Sequence, residues 1–330
     1  MTLPISILDL AHIGDDGIAA SFKASVELAQ KAEGWGYRRI WFAEHHNMPS
    51  IASSATSVLI AHVAAHTNTI RLGAGGIMLP NHSPLQIAEQ FGTLETLHPG
   101  RIDLGLGRAP GSDQNTMRAL RRDPMAADTF PSDVQELQAY FAGATMIPGV
   151  NAYPGKDTHV PLYILGSSLF GARLAAALGL PYSFASHFAP QALEDAVRIY
   201  RRDFQPSAAL AEPYVIAGVN AIVADTQEEA DALLLTAKRR RVAALVGGGR
   251  TFTDAEADML LESQAGQQVL NMMRYSAVGT PESVRAYMDD FAKLADADEL
   301  IVAGQITDRT AWIRSFELLA QAMELPGVQG

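Results

Sequence analysis

Residues 39–79 read RIWFAEHHNMPSIASSATSVLIAHVAAHTNTIRLGAGGIML. Arg39–Ala43 is a short apolar run with the length and aromatic content of a buried strand. Ser53–Thr67 carries its apolar residues at helical spacing, and Ile70–Leu79 begins as a second strand. A strand, a helix and another strand in direct succession argue for a parallel sheet covered by helices.

The same rhythm extends in both directions. Ile5–Leu10 predicts a first strand and Ser21–Trp35 the helix after it. Ser83–Leu97 is the helix that follows strand three, stopped by Pro99-Gly100, and Ile102–Leu106 is strand four. Arg108 to Asp128 is looser, Pro131–Phe141 is helical, and Asn151–Pro161 is a connection containing proline and glycine. Strands at Leu162–Leu165, Tyr182–Ala185, Val215–Val223 and Glu299–Val302 alternate with helices at Ser168–Leu178, Pro190–Phe204, Thr226–Val246 and Thr307–Met323. Eight strand-then-helix units are the number that closes a (β/α)8 TIM barrel, expected here as one α/β domain over residues 1–330. Val246–Glu299 breaks the rhythm: it holds Gly247-Gly248-Gly249 and the helical Pro281–Leu294. It reads as a long irregular insertion between strands seven and eight, either a lid or a disordered surface excursion.

Composition excludes several functions. A formal net charge of −11 over 330 residues argues against a general nucleic-acid binder. The basic run Lys238-Arg239-Arg240-Arg241 falls in a helix and reads as a solvated face. With no cysteine there is no disulfide, thiolate metal site or cysteine nucleophile. The N-terminus lacks the basic and apolar regions of a signal peptide, and no apolar run approaches the ~20 residues of a membrane span, so no membrane partner and a cytoplasmic location are expected.

Four constellations carry candidate chemistry. Trp41–Met48 contains Glu44, His45 and His46 where strand two becomes loop, and residues at the C-terminal ends of barrel strands face the active site. Histidine titrates near neutrality and suits proton transfer. Metal ligation, a structural pair and catalytic or cofactor contact are the three readings. Neighbours on a strand point to opposite faces and no HExxH spacing is present, which argues against the metal. Gly75 and Gly76, at the end of strand three, either admit a flat ligand or turn a tight barrel corner. Gly105–Gly111 fails the GxGxxG pattern because Pro110 stands at its sixth position. It leaves Arg108 as a phosphate grip or a rim salt bridge. Gly166-Ser167-Ser168 opens a helix, as an anion site or a plain cap. His187 follows strand six as pocket wall or structural residue, and no GxSxG supports a serine nucleophile.

Taken together these segments resemble the bacterial luciferase-like flavin monooxygenases over nearly the whole chain. The carrying pieces are Trp41–His46, Gly73–Pro80 with Asn81-His82-Ser83-Pro84, Ala88-Glu89-Gln90, Gly100-Arg101-Ile102 and Leu104–Arg108. The nearest subgroup is the single-chain oxidoreductases that carry Glu-His-His-Asn-Met, here 44–48, and Gly-Arg-Ala-Pro-Gly-Ser-Asp, here 107–113. The resemblance implies FMN as cofactor, with His45 as base or hydrogen-bond partner near the reactive flavin carbon and Glu44 beside the ring. It implies a cis peptide at Gly75-Gly76, and Arg108, Ser167 and Ser168 at the phosphate. Two positions depart from the luciferase catalytic chain. Gly107 replaces a cysteine, and Ser167-Ser168 replaces a Glu-Ser pair, which shifts phosphate binding toward backbone N–H groups and speaks against light emission.

The implied reaction takes reduced FMN and O2, places one oxygen in a small organic substrate and releases water. Reduced flavin would come from a separate flavin reductase, and a homodimer is expected from the resemblance. Three alternatives stay open: hydride transfer with a deazaflavin or flavin on the same barrel, flavin binding without catalysis, and a metal-dependent hydrolase.

Overall fold

The computed structural model describes residues 3–109, 113–248 and 250–329. Its strands are β1 Ile5–Asp9, β2 Arg39–Phe42, β3 Arg71–Met78, β4 Ile102–Gly107, β5 Leu162–Gly166, β6 Tyr182–Phe184, β7 Val215–Val223, β8 Ser276–Gly279 and β9 Glu299–Gly304. Helices α1 Ile18–Trp35, α2 Thr56–Ala64, α3 Pro84–Leu97, α4 Gln114–Ala119, α5 Phe130–Phe141, α6 Leu169–Leu178 and α7 Leu193–Asp203 lie between the first seven strands. They are followed by α8 Gln227–Val246, α9 Asp254–Glu262, α10 Gln264–Met272, α11 Pro281–Leu294 and α12 Arg309–Ala322.

All pairings between these strands are parallel, in the order β6-β5-β4-β3-β2-β1-β9-β7, and β6 pairs β7 to close the ring. This is the TIM barrel read from the alternation, with β9 as its eighth strand. Parallel strands covered on both faces are predominantly apolar, and all nine residues of β7 are buried, Asn220 being its one polar side chain.

The insertion is where the sequence reading needs correction. It is built, not irregular. Helices α9 and α10 pack on α8 through Val242, Leu261 and Val269. Thr253 and Glu256 form a capping box at the start of α9, and the Ser263 hydroxyl accepts from the Gly266 N–H to start α10. The extra strand β8 then pairs Asn220–Val223, the end of β7 beyond the stretch paired with β6. Four residues cannot show a period, so this strand left no readable signal.

Period-two alternation divides each strand between an outer face under the helices and an inner face on the barrel axis. The inner residues stack in layers. At the N-terminal end Arg39 donates to Asp103 Oδ2 (2.8 Å) and Glu299 Oε2 (3.2 Å), and Tyr214 Oη donates to Glu299 (2.7 Å). Above it Leu8, Trp41, Tyr163, Ile216 and Ile301 form an apolar layer. The ion-paired layer plugs the bottom, and the apolar layer is the floor of whatever occupies the top.

Candidate active site

At the C-terminal end of the barrel lies a cavity of about 650 Å3. Its floor is Leu8, Trp41 and Ile301. Residues just past the strand ends form its wall: His12 after β1, His45 after β2, Arg108 after β4, Ser167 and Ser168 after β5, and His187 after β6. Gly75 and Gly76 contribute bare backbone from β3. The volume falls within the roughly 300–1,000 Å3 of small-molecule and cofactor sites.

His45 faces this cavity. Its backbone N–H is tied to Ser53 O (3.0 Å), while its Nδ1 is buried with no hydrogen-bond partner. Burial pushes its pKa below the ordinary value against the attraction of Glu44, and His46 lowers it further. The ring is therefore neutral at pH 7, with one nitrogen able to accept and the other to donate.

Glu44 is not part of the lining. Its carboxylate, 1% exposed, sits behind the wall and gathers donors from two segments. The Met78 N–H donates to Oε2 (2.9 Å) and Asn81 Nδ2 to Oε1 (3.2 Å). His82 Nε2 lies 2.9 Å from both oxygens, and His46 Nε2 lies 2.8 Å from Oε1. Burial alone would raise the Glu44 pKa, but the hydrogen bonds from His46, His82 and Met78 outweigh it and bring it to about 2. The hydrogen bond to Glu44 in turn holds His46 protonated above its ordinary pKa, against burial. Glu44 and His46 thus brace the β2 and β3 ends, whereas the expectation put Glu44 beside the ring. Among the described residues no group of three or more His, Asp or Glu is arranged to hold a metal.

The glycines answer to two demands. A Cβ at Gly75 would lie 2.8 Å from Trp41 Cβ and 2.9 Å from Leu8 Cδ1. Only glycine leaves room for the apolar floor there, and the same absence leaves a flat backbone facing the cavity. The Gly75-Gly76 peptide is cis.

Arg108 and the start of α6 meet at one side of the cavity. The guanidinium lies 4.2 Å over Phe170 and donates through Nε to Ala127 O (3.2 Å). Its ion pair with Asp128 is long, at 3.7 Å, and exposed on both sides, so it holds little of the charge. Ser168 is the N-cap of α6 in extended conformation, yet no side chain caps the helix. Uncapped first-turn N–H groups, two serine hydroxyls and a guanidinium together form the donor set an oxyanion group requires. Pro110 and Gly111, which spoil the dinucleotide pattern, lie outside the described residues.

His187 shares the cavity. Its Nδ1 is buried without a partner, its carbonyl accepts from Asn220 Nδ2 (2.7 Å), and Gln305 donates to Asn220 (2.9 Å). Burial, with Arg241 and His45 adding to it, pulls its pKa to about 3. Sequence reading missed His12, although it follows β1 as His45 follows β2. It missed Arg240 and Arg241 as well. The supposed solvated face of α8 is divided. Ala237, Arg240, Arg241, Ala244 and Leu245 line the cavity at the spacing of one helix face, while Arg239 turns to Asp254 and Asp258.

The profile of the family described as luciferase-like monooxygenase matches residues 3–298. A luciferase-like monooxygenase of Escherichia coli is 48% identical over 330 residues, covering 98% of each chain. The N-acetyl-S-alkylcysteine monooxygenase of Bacillus subtilis is 32% identical over 332 residues, covering 97% of this chain and 98% of its own. Among solved structures, apo-MsnO8 superposes with a TM-score of 0.89 at 34% identity, covering 98% of this chain and 99% of its own. The fold alone is shared with two more distant structures. One is the FMN complex of the oxygenating component of 3,6-diketocamphane monooxygenase from Pseudomonas putida (TM-score 0.71, 16% identity, covering 97% of each chain). The other is the coenzyme F420-dependent tetrahydromethanopterin reductase of Methanopyrus kandleri (0.68, 18%, covering 98% of each chain). With the barrel, the cavity at its C-terminal mouth and a match over most of its length, this chain belongs to the luciferase-like monooxygenase family.

Proposed function

We propose that this protein is an FMN-dependent monooxygenase that uses reduced FMN and O2 to oxygenate a small organic substrate. The observation that carries the reading is one cavity combining a flat glycine wall at Gly75-Gly76, a donor set for a phosphate at Arg108, Ser167, Ser168 and the α6 N-terminus, and His45 with a free Nδ1. FMN is a planar ring joined to a phosphate, and these features fit its two ends.

Bound there, reduced FMN supplies the electrons that activate O2. Arg108 and the α6 N–H groups hold the phosphate and so fix where the ring sits. The apolar floor of Leu8, Trp41 and Ile301 keeps water from the reacting side. His45, neutral at pH 7, accepts or returns a proton through Nδ1, and the Glu44 cluster fixes the backbone from which it projects. The Bacillus subtilis relative, a monooxygenase of N-acetyl-S-alkylcysteine, and the FMN of the Pseudomonas putida structure support the reading. Reduced flavin arrives from a separate reductase, and the protein works as a homodimer.

Binding is tested by titrating FMN, riboflavin and a deazaflavin cofactor, in oxidised and reduced forms, against wild type and Arg108→Met. FMN should bind at least about tenfold tighter than riboflavin, and Arg108→Met should remove most of that difference. Admitting O2 to the complex of reduced FMN should give a transient absorbance distinct from oxidised and reduced flavin. Tight deazaflavin binding with no such transient would establish the second reading, hydride transfer, which the Methanopyrus kandleri likeness favours.

A further inference from the structure

We propose that Arg240 and Arg241 form an anion-binding subsite at the cavity mouth, and that the substrate oxygenated here is an organic carboxylate whose apolar part lies toward His45. The inference rests on the monooxygenase reading and adds the substrate class to it.

Three consecutive arginines on α8 have different fates. Arg239 makes a two-pronged pair with Asp258 (Nε–Oδ1 2.7 Å, Nη2–Oδ2 2.6 Å) and reaches Asp254 (2.6 Å). Arg240 and Arg241 stand on the face toward the cavity, and among the described residues neither has a hydrogen bond or ion pair. Arg240 is exposed at the rim. Arg241 is half-buried, and its Nε is fully buried and unsatisfied. Leaving a guanidinium partly out of water with no counter-ion is costly, and a ligand carboxylate removes that cost through paired N–H···O bonds.

Two structural explanations fail. The arginines lie before the last turn of α8, where the helix dipole would favour cations. No carboxylate lines the cavity among the described residues, even though the chain carries 36 acidic residues. An excess of positive charge therefore collects in one cavity of an acidic protein.

The flavin phosphate is not the anion these residues wait for. Its donor set lies after β4 and β5. Arg240 and Arg241 both act electrostatically on His12, which follows β1, and Arg241 also acts on His187. The two arginines project from α8, which follows β7, and in the closed ring β7 stands two strands from β5 on one side and two from β1 on the other. The cavity thus has two cationic sides, Arg108 past β4 and the arginine pair on α8, with Leu245 of α8 and Met272 of α10 supplying apolar surface beside the second. A carboxylate with an apolar chain matches that second side.

The test is calorimetric titration of octanoate and octanol, at neutral pH, into flavin-free and FMN-loaded protein. Wild type should prefer octanoate by about tenfold or more, and added salt should weaken octanoate but not octanol. Arg241→Gln should lose most of the preference, Arg241→Lys should keep part of it, and Arg240→Gln/Arg241→Gln should abolish it. FMN affinity should stay within about twofold in each variant. Equal binding of octanoate and octanol to wild type would overturn the proposal even if no variant folds. So would a double variant that keeps the preference, or one that loses FMN but not riboflavin affinity, which would assign the pair to the phosphate. A wild type that binds octanoate selectively but no FMN would leave the anion subsite standing and defeat the cofactor reading.

Discussion

Replacing Glu44 by Gln removes one charge and changes one oxygen into an NH2 group without changing shape. Met78 N–H donates to one carboxylate oxygen and Asn81 Nδ2 to the other, so whichever oxygen is lost, a fixed donor then faces a donor. Hydrogen bonds to a buried charge are worth roughly 1.5–3 kcal/mol each, and at least one is lost outright while the others lose their charge assistance. A second route gives a comparable figure. The carboxyl is 1% exposed, and its pKa falls from 4.5 to about 2. At about 1.4 kcal/mol per pH unit this is roughly 3 kcal/mol of stabilisation by the ionised form. Because the folded pKa is the lower one, that stabilisation is complete above about pH 4.5 and disappears as pH falls toward 2. Urea denaturation of wild type and Glu44→Gln should therefore differ by about 3 kcal/mol at pH 7. The difference should narrow once the pH drops below about 4.5. A difference under roughly 0.5 kcal/mol at pH 7, or one that stays constant into acid, would show that the carboxylate is not the structural hub described here.

Three further outcomes are expected. His45→Ala should keep the fold and FMN affinity while lowering oxygenation by roughly 100- to 10,000-fold, read from product formation under single-turnover conditions with reduced FMN. Arg39→Met should destabilise by up to about 3–5 kcal/mol in the same denaturation assay, because the buried Asp103 and Glu299 lose the cation they share, which Arg71 on Asp103 and Arg38 on Glu299 replace only in part. The third concerns pH. His12 and His187 have pKa values lowered to about 4 and about 3, so the unfolded chain takes up protons first and stability falls as pH drops below about 6.5. His187→Gln should flatten that fall by up to about 1.4 kcal/mol per pH unit, and a slope unchanged from wild type would contradict the burial assigned to this ring.

Much of the site was legible because barrel architecture ties sequence position to location. A residue just after a strand faces the mouth, and His45, Arg108, Ser167, Ser168 and His187 all do so. The same rule would have found His12. Glu44 and His46 were harder, since adjacent residues leave a strand in different directions and only their partners show which one enters the cavity. The decisive partners, Met78 and His82, come from β3 and the turn beyond it.

Alternating apolar runs and helical periods determined the parallel barrel from sequence alone, because a strand covered on both faces is apolar along most of its length. They also located the residues at its mouth. Only the tertiary structure decided what the insertion does, since short elements such as β8 carry no period and form only against β7. It also decided which arginines of α8 are free. In sequence Arg239, Arg240 and Arg241 are equivalent charges; packing α9 against one side of the helix gives the first its carboxylates and leaves the other two facing the cavity.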